Sequence, residues 1–105
     1  MFSKNLVSLG AVFTLTVAAQ QAHAHAPIFN CASAGSKIRC EAGYSDGSSA
    51  AGRTIAVLDV NHKLLSEGKV GADGKFEFDR PTGDFHVAFD GGQYHQITLY
   101  SRDIE

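Results

Sequence analysis

Hydrophobic and polar positions alternate most cleanly between Gly68 and Phe89, in the stretch GKVGADGKFEFDRPTGDFHVAF. Phe76 and Phe78 are interleaved with Lys75, Glu77 and Asp79, and Phe85, Val87 and Phe89 with His86 and Ala88. A period of two turns one set toward a core and the other toward water, which predicts strands. Val70 ends a preceding strand. Asp73-Gly74 supplies a turn, because glycine accepts positive φ without steric cost and aspartate bonds back to the turn backbone. Arg80-Pro81-Thr82-Gly83 supplies the next turn. The stretch therefore reads as three consecutive strands whose shared apolar face is the centre of an all-β core.

The same pattern extends outward. Ile28 and Phe29 predict a short first edge strand, and Ala32 to Ser36 a small-residue turn. From Lys37 to Ser45, Ile38, Cys40, Ala42 and Tyr44 share one face while Arg39, Glu41 and Gly43 share the other. Asp46 to Gly52 is a polar loop. Arg53 to Val60 is rich in branched residues and reads as a central strand. Asn61-His62-Lys63 turns the chain into Leu64-Leu65-Ser66-Glu67, and Asp90 to Gln93 turns it into a last strand, Tyr94 to Tyr100, ahead of a short tail. About seven short strands at this spacing imply a small antiparallel β-sandwich, immunoglobulin-like in the broad sense. The absence of tryptophan and of a long-range cysteine pair excludes an antibody-type domain.

The last hairpin has two plausible registers. A two-residue turn, Gly91-Gly92, pairs Ala88 with His95 and sets His86 on the same face. A three-residue turn pairs Phe89 with His95, sets Phe85, Val87 and Phe89 beside Ile97 and Leu99, and leaves His86 facing away. Burial favours the second.

The first residues read as an export signal over residues 1–24, leaving 25–105 as one β-sandwich domain. Lys4 supplies the charged start, Leu6 to Ala19 the apolar run, and Ala22-His23-Ala24 a small-x-small cleavage site. The apolar run is too short for a permanent bilayer span, so no membrane span is expected in the mature chain. This placement implies the periplasm, an oxidising compartment. Cys31 and Cys40, the only two cysteines, then read as a structural disulfide worth about 2–3 kcal/mol. Their eight-residue gap fits neither a C-x-x-C redox motif nor a usual zinc knuckle. The formal net charge of −2, with basic residues scattered singly, argues against nucleic acid as a partner.

From Gly47 to Leu99 the chain resembles carboxypeptidase-regulatory-like, or transthyretin-like, modules. The resemblance is carried by the Gly-rich loop Asp46 to Gly52, the strand Thr54 to Asp59, the Gly68 to Phe78 turn-and-strand with its Asp-Gly-x-Phe-x-Phe element, and the closing Phe85 to Phe89. More narrowly it is similar to small periplasmic accessory proteins of nickel or cobalt uptake transporters. The points of similarity are a signal peptide, a histidine at the mature N-terminus and a closing segment, here Asp90-Gly91-Gly92-Gln93-Tyr94-His95. That resemblance implies handling of a divalent transition metal and a membrane metal transporter as partner.

The residues themselves offer matching chemistry. Cleavage after Ala24 makes His25 the terminal residue, whose α-amine and imidazole can chelate one Ni(II), Co(II) or Cu(II) ion. Cleavage after Ala22 would instead start His23-Ala24-His25, with a histidine at position three; Gln20 argues against that cut, and the competing reading of either start is an incidental Ala/His stretch beside the cleavage site. His95 and His86 are the candidate additional ligands. The competing reading of His95 is a hydrogen-bonded histidine at the rim of the core, and His62 reads as a solvated turn residue. Asp59, Asp73, Asp79, Asp84 and Asp90 read as turn and strand-end residues. Asp46-Gly47-Ser48 lacks the acidic spacing of a calcium loop, and no Ser-His-Asp order can be assembled. No enzyme is expected. The alternative function is an adaptor that binds an envelope protein through a strand edge or its tyrosine-bearing face, without metal.

Overall fold

A computed structural model describes residues 26–105; the expected export signal over residues 1–24 and the candidate ligand His25 lie outside the described residues. Seven strands follow in order: β1 (Pro27–Ala34), β2 (Lys37–Tyr44), β3 (Thr54–Asp59), β4 (Leu64–Lys69), β5 (Lys75–Asp79), β6 (Phe85–Asp90) and β7 (Gln96–Tyr100), with a 3₁₀ turn at Ser101–Asp103. They form two antiparallel sheets, β1-β2-β5 and β4-β3-β6-β7. The expected sandwich is present, and β3 is interior to its sheet as its branched residues suggested.

The three strands of the alternating centre do not form one meander. β4 and β6 belong to the four-stranded sheet and β5 to the other, so the chain crosses the sandwich at Asp73-Gly74 and again at Arg80 to Gly83. Alternation reveals which side chains face inward but not which sheet carries them. The crossing from β4 to β5 depends on Gly68, where a Cβ would fall 2.4 Å from the Phe76 ring. Glycine lets the two sheets close over that corner.

The core is the inner faces of both sheets. Phe29, Ile38, Cys40, Tyr44 and Phe78 come from one, and Ile55, Val57, Phe85, Val87 and Phe89 from the other. Phe29 stacks on Phe89 across the sandwich at 5.0 Å, and Phe78 meets Phe85 edge-on at 6.0 Å. Ring pairs of this kind add about 0.5–1.5 kcal/mol beyond the area they bury. The tail is part of this core, contrary to expectation: Ile104 is buried, and Ser33 N–H donates to the Glu105 carbonyl at 2.9 Å along the free edge of β1.

β1 is longer than expected and runs to Ala34, which pairs with Lys37 across the two-residue turn Gly35-Ser36. Gly35 has φ 68° while Ser36 does not share the positive φ, as a II′ hairpin turn requires. The hairpin sets Cys31 directly opposite Cys40, and the two form a disulfide. On the outer face of β2 and β5, Lys37, Arg39 and Glu41 stand opposite Asp79, Glu77 and Lys75. Each pair is bridged, at 2.8, 2.9 and 3.6 Å respectively. Exposed pairs of this sort contribute little each, but opposite charges in register disfavour a slip.

The β6–β7 register matches neither expectation. Phe89 pairs with Ile97 and Asp90 with Gln96, so the connection is the five-residue loop Gly91 to His95. The faces are those of the favoured register, with Phe85, Val87 and Phe89 inward, but the pairing has moved by two residues and His95 sits in the loop. Asp90 organises that loop. Its Oδ1 accepts from the Gln96 side chain and from Gly92 N–H, both at 3.1 Å. The Gln96 bond above all, then the Gly92 bond and the charge of Arg53, hold its carboxyl below the ordinary range against the opposing effect of burial.

Candidate functional site

The candidate histidines fall at opposite ends of the sandwich. His86 pairs with Tyr100 at one end of the β6–β7 ladder, while His95 lies just past Gln96 at the other. Five residue steps along a strand separate them, about 17 Å at ~3.4 Å per residue. They cannot ligate one ion together.

At the His95 end, three segments converge. Tyr44, the last residue of β2, sends its hydroxyl across the sandwich to donate to the Gly91 carbonyl at 2.5 Å, and its ring lies 6.5 Å from that of His95. The neighbouring Ser45 grips the chain start: Ala26 N–H donates to Ser45 Oγ at 2.9 Å, and Ser45 N–H to the Ala26 carbonyl at 2.8 Å. His95 is itself half-buried and engaged through its backbone, its N–H donating to Gly92 O and its carbonyl accepting from Gly91 N–H. Arg53 extends over Gly92, where a Cβ would stand 3.2 Å from its guanidinium. The described chain therefore begins, at Ala26, beside Ser45 and Tyr44.

At the opposite end His86 departs from expectation. It does face away from the core, on the outer face of the four-stranded sheet between Leu58 and Tyr100, yet it is only 9% exposed. Rings cover it. His62 packs edge-on at 5.2 Å and Tyr100 lies at 5.7 Å, while the Arg102 guanidinium sits 4.9 Å from the centre of the Tyr100 ring. His62 is exposed but is not a plain solvated turn residue, since its ring makes the His86 contact. Sequence reading missed this pair because it depends on the β3–β4 turn folding back over β6. A signal existed in Asp59, three residues before His62. Its Oδ1 accepts from Asn61 N–H at 2.8 Å and Lys63 N–H at 2.9 Å, and its carbonyl accepts from His62 N–H. This clamp holds His62 at φ 64°, a conformation uncommon for residues other than glycine. The Lys63 bond foremost, helped by the Asn61 bond and by attraction to Lys63 and His62, holds the Asp59 carboxyl below its ordinary value while burial works the other way.

Among the described residues no group of three or more His, Cys, Asp and Glu side chains is placed to hold a metal ion. None of the helices there is long and apolar enough to cross a membrane. No family model matches the chain, and neither a curated protein nor a solved structure shows significant similarity to it.

Proposed function

We propose that this is an exported periplasmic accessory protein, of the carboxypeptidase-regulatory-like or transthyretin-like kind, that binds a divalent transition ion and passes it to a membrane metal transporter. Nickel, cobalt and copper suit the donors: the α-amine and imidazole of an N-terminal His25, with His95 as a further imidazole. The reading includes no catalytic step. What supports it is the pair of hydrogen bonds between Ala26 and Ser45, which tie the start of the described chain beside Tyr44, the residue whose ring faces His95. His86, at the far end of β6, is left out of this site.

Titration of the mature protein, with its natural N-terminus, against Ni(II), Co(II) and Cu(II) tests the proposal. One equivalent bound below about micromolar Kd, lost in His25→Ala and weakened in His95→Ala, is the expected result. Binding that is absent, or indifferent to His25→Ala, would leave the second reading, an adaptor without metal. That reading draws on the β4 edge and the turn before it, where Val60, Leu64 and Leu65 are 65%, 51% and 44% exposed and the ladder to β3 shifts register between Val57 and Leu58. A metal-independent complex with an envelope protein, abolished by Leu64→Lys, would establish it.

A further inference from the structure

We infer that His62 and His86 form a second, separate metal site, an open two-imidazole site for a divalent ion of the nickel–copper–zinc group. The first ground is burial without satisfaction. His86 is 9% exposed, and neither of its ring nitrogens takes part in a hydrogen bond within the described chain; its neighbours are rings. A buried polar group in that condition costs stability unless something outside the chain completes it. The buried hydroxyl of Tyr44, by contrast, has its acceptor.

The second ground is spacing. A metal ion lies about 2.0–2.1 Å from a ligating imidazole nitrogen, and so about 3.2 Å from the ring centre. Two such rings at a tetrahedral angle stand about 5.2 Å apart between centres, which is the separation of His62 and His86. The third ground is access. Both rings line a cleft of about 360 Å³, shared with Asp84, Tyr100, Ser101 and Arg102. Arg102 is held over the Tyr100 ring, and Asp84 also lines the cleft. Fourth, His62 reaches its place through a left-handed backbone conformation imposed by Asp59. Such strain in a turn that delivers an imidazole to another imidazole fits a binding role. Two protein donors leave coordination positions for water or for a donor from another molecule, so the ion is exchangeable rather than locked in.

This site shares no residue with the N-terminal one, and its test is designed to fail separately. The mature chain carrying His25→Ala and His95→Ala is titrated with Zn(II) while the imidazole ¹⁵N resonances of His62 and His86 are followed. Both should shift together and saturate at one equivalent. His86→Phe keeps a ring in the stack, and His62→Asn keeps a side chain tolerant of positive φ. Each should weaken binding at least about tenfold. Unmoved His62 and His86 resonances, or binding undiminished in both variants, would show that the two rings are aromatic packing alone. The reciprocal variant, His62→Asn with His86→Phe, reports on the N-terminal site by itself.

Discussion

The outer faces of the two sheets make opposite use of polar groups. On the three-stranded sheet, the lysines, arginine and carboxylates of β2 and β5 stand in register and neutralise one another across the ladder. On the four-stranded sheet, His86 occupies an equivalent outward position, yet it is covered by His62 and Tyr100 and bonded to neither. A face whose polar groups complete each other specifies pairing and needs nothing from outside. A face that buries an imidazole with no hydrogen bond among the described residues carries a cost that those residues do not offset. Satisfaction of the polar groups is what separates the two faces.

Both faces rest on one core, and the largest perturbation should remove the contrast altogether. Phe89→Ala empties the position that stacks on Phe29 and should cost about 3–5 kcal/mol in denaturant unfolding, collapsing both sheets in one transition. Replacing Cys31 and Cys40 by serine should cost about 2–3 kcal/mol. That loss falls on the three-stranded side, so the His62 and His86 resonances should keep their positions. If they move, the two faces are coupled.

The sharpest contrast comes from small changes. A double-mutant cycle on Arg39 and Glu77 should return about 0.5 kcal/mol of favourable coupling. His86→Phe should leave the metal-free protein as stable as before or about 1 kcal/mol more stable, since it removes a buried unsatisfied group while keeping a ring. A clear destabilisation would mean that His86 is already satisfied without a ligand. The smallest effect is expected with pH. Asp59 and Asp90 have carboxyls held below the ordinary value of 3.8. Their stabilising contribution is therefore complete above that value and is lost as pH falls through the lower folded-state values. Thermal melts between neutral and strongly acidic pH should show this loss, and Asp59→Asn should reduce it. Lys37, held above 10.5 chiefly by its Asp79 hydrogen bond, behaves in the opposite sense: its contribution is present below that value and lost as pH rises through the folded-state one.

Much of the architecture was legible in the alternation of Phe76, Phe78, Phe85, Val87 and Phe89, because a half-buried strand can bury its apolar side chains in only one way. The facing of Cys31 and Cys40 on neighbouring strands was legible for the same reason. The division of consecutive strands between sheets was not, since alternation is identical whichever sheet a strand joins. The β6–β7 pairing slipped by two because such a shift keeps every side chain on its face, so burial cannot detect it. Gln96 and Gly92 decide it instead, through their bonds to Asp90. The tail read as an appendage because Ile104 is a single apolar residue with no period around it. The His62–His86 contact joins residues 24 apart through a turn held by one carboxylate, and no local pattern announces it.

The hairpin that places Cys31 against Cys40 also bears on how the chain matures. The two sulfurs are nine residues apart and face each other as soon as β1 and β2 meet around Gly35-Ser36. Loops of about ten residues close within roughly 10–100 ns, far faster than any oxidant delivers its chemistry. With two cysteines there is a single possible intramolecular pairing. Oxidative maturation should therefore depend on the supply of oxidant alone, with no wrong bridge to undo and no isomerase required, and it can finish before the second sheet has assembled.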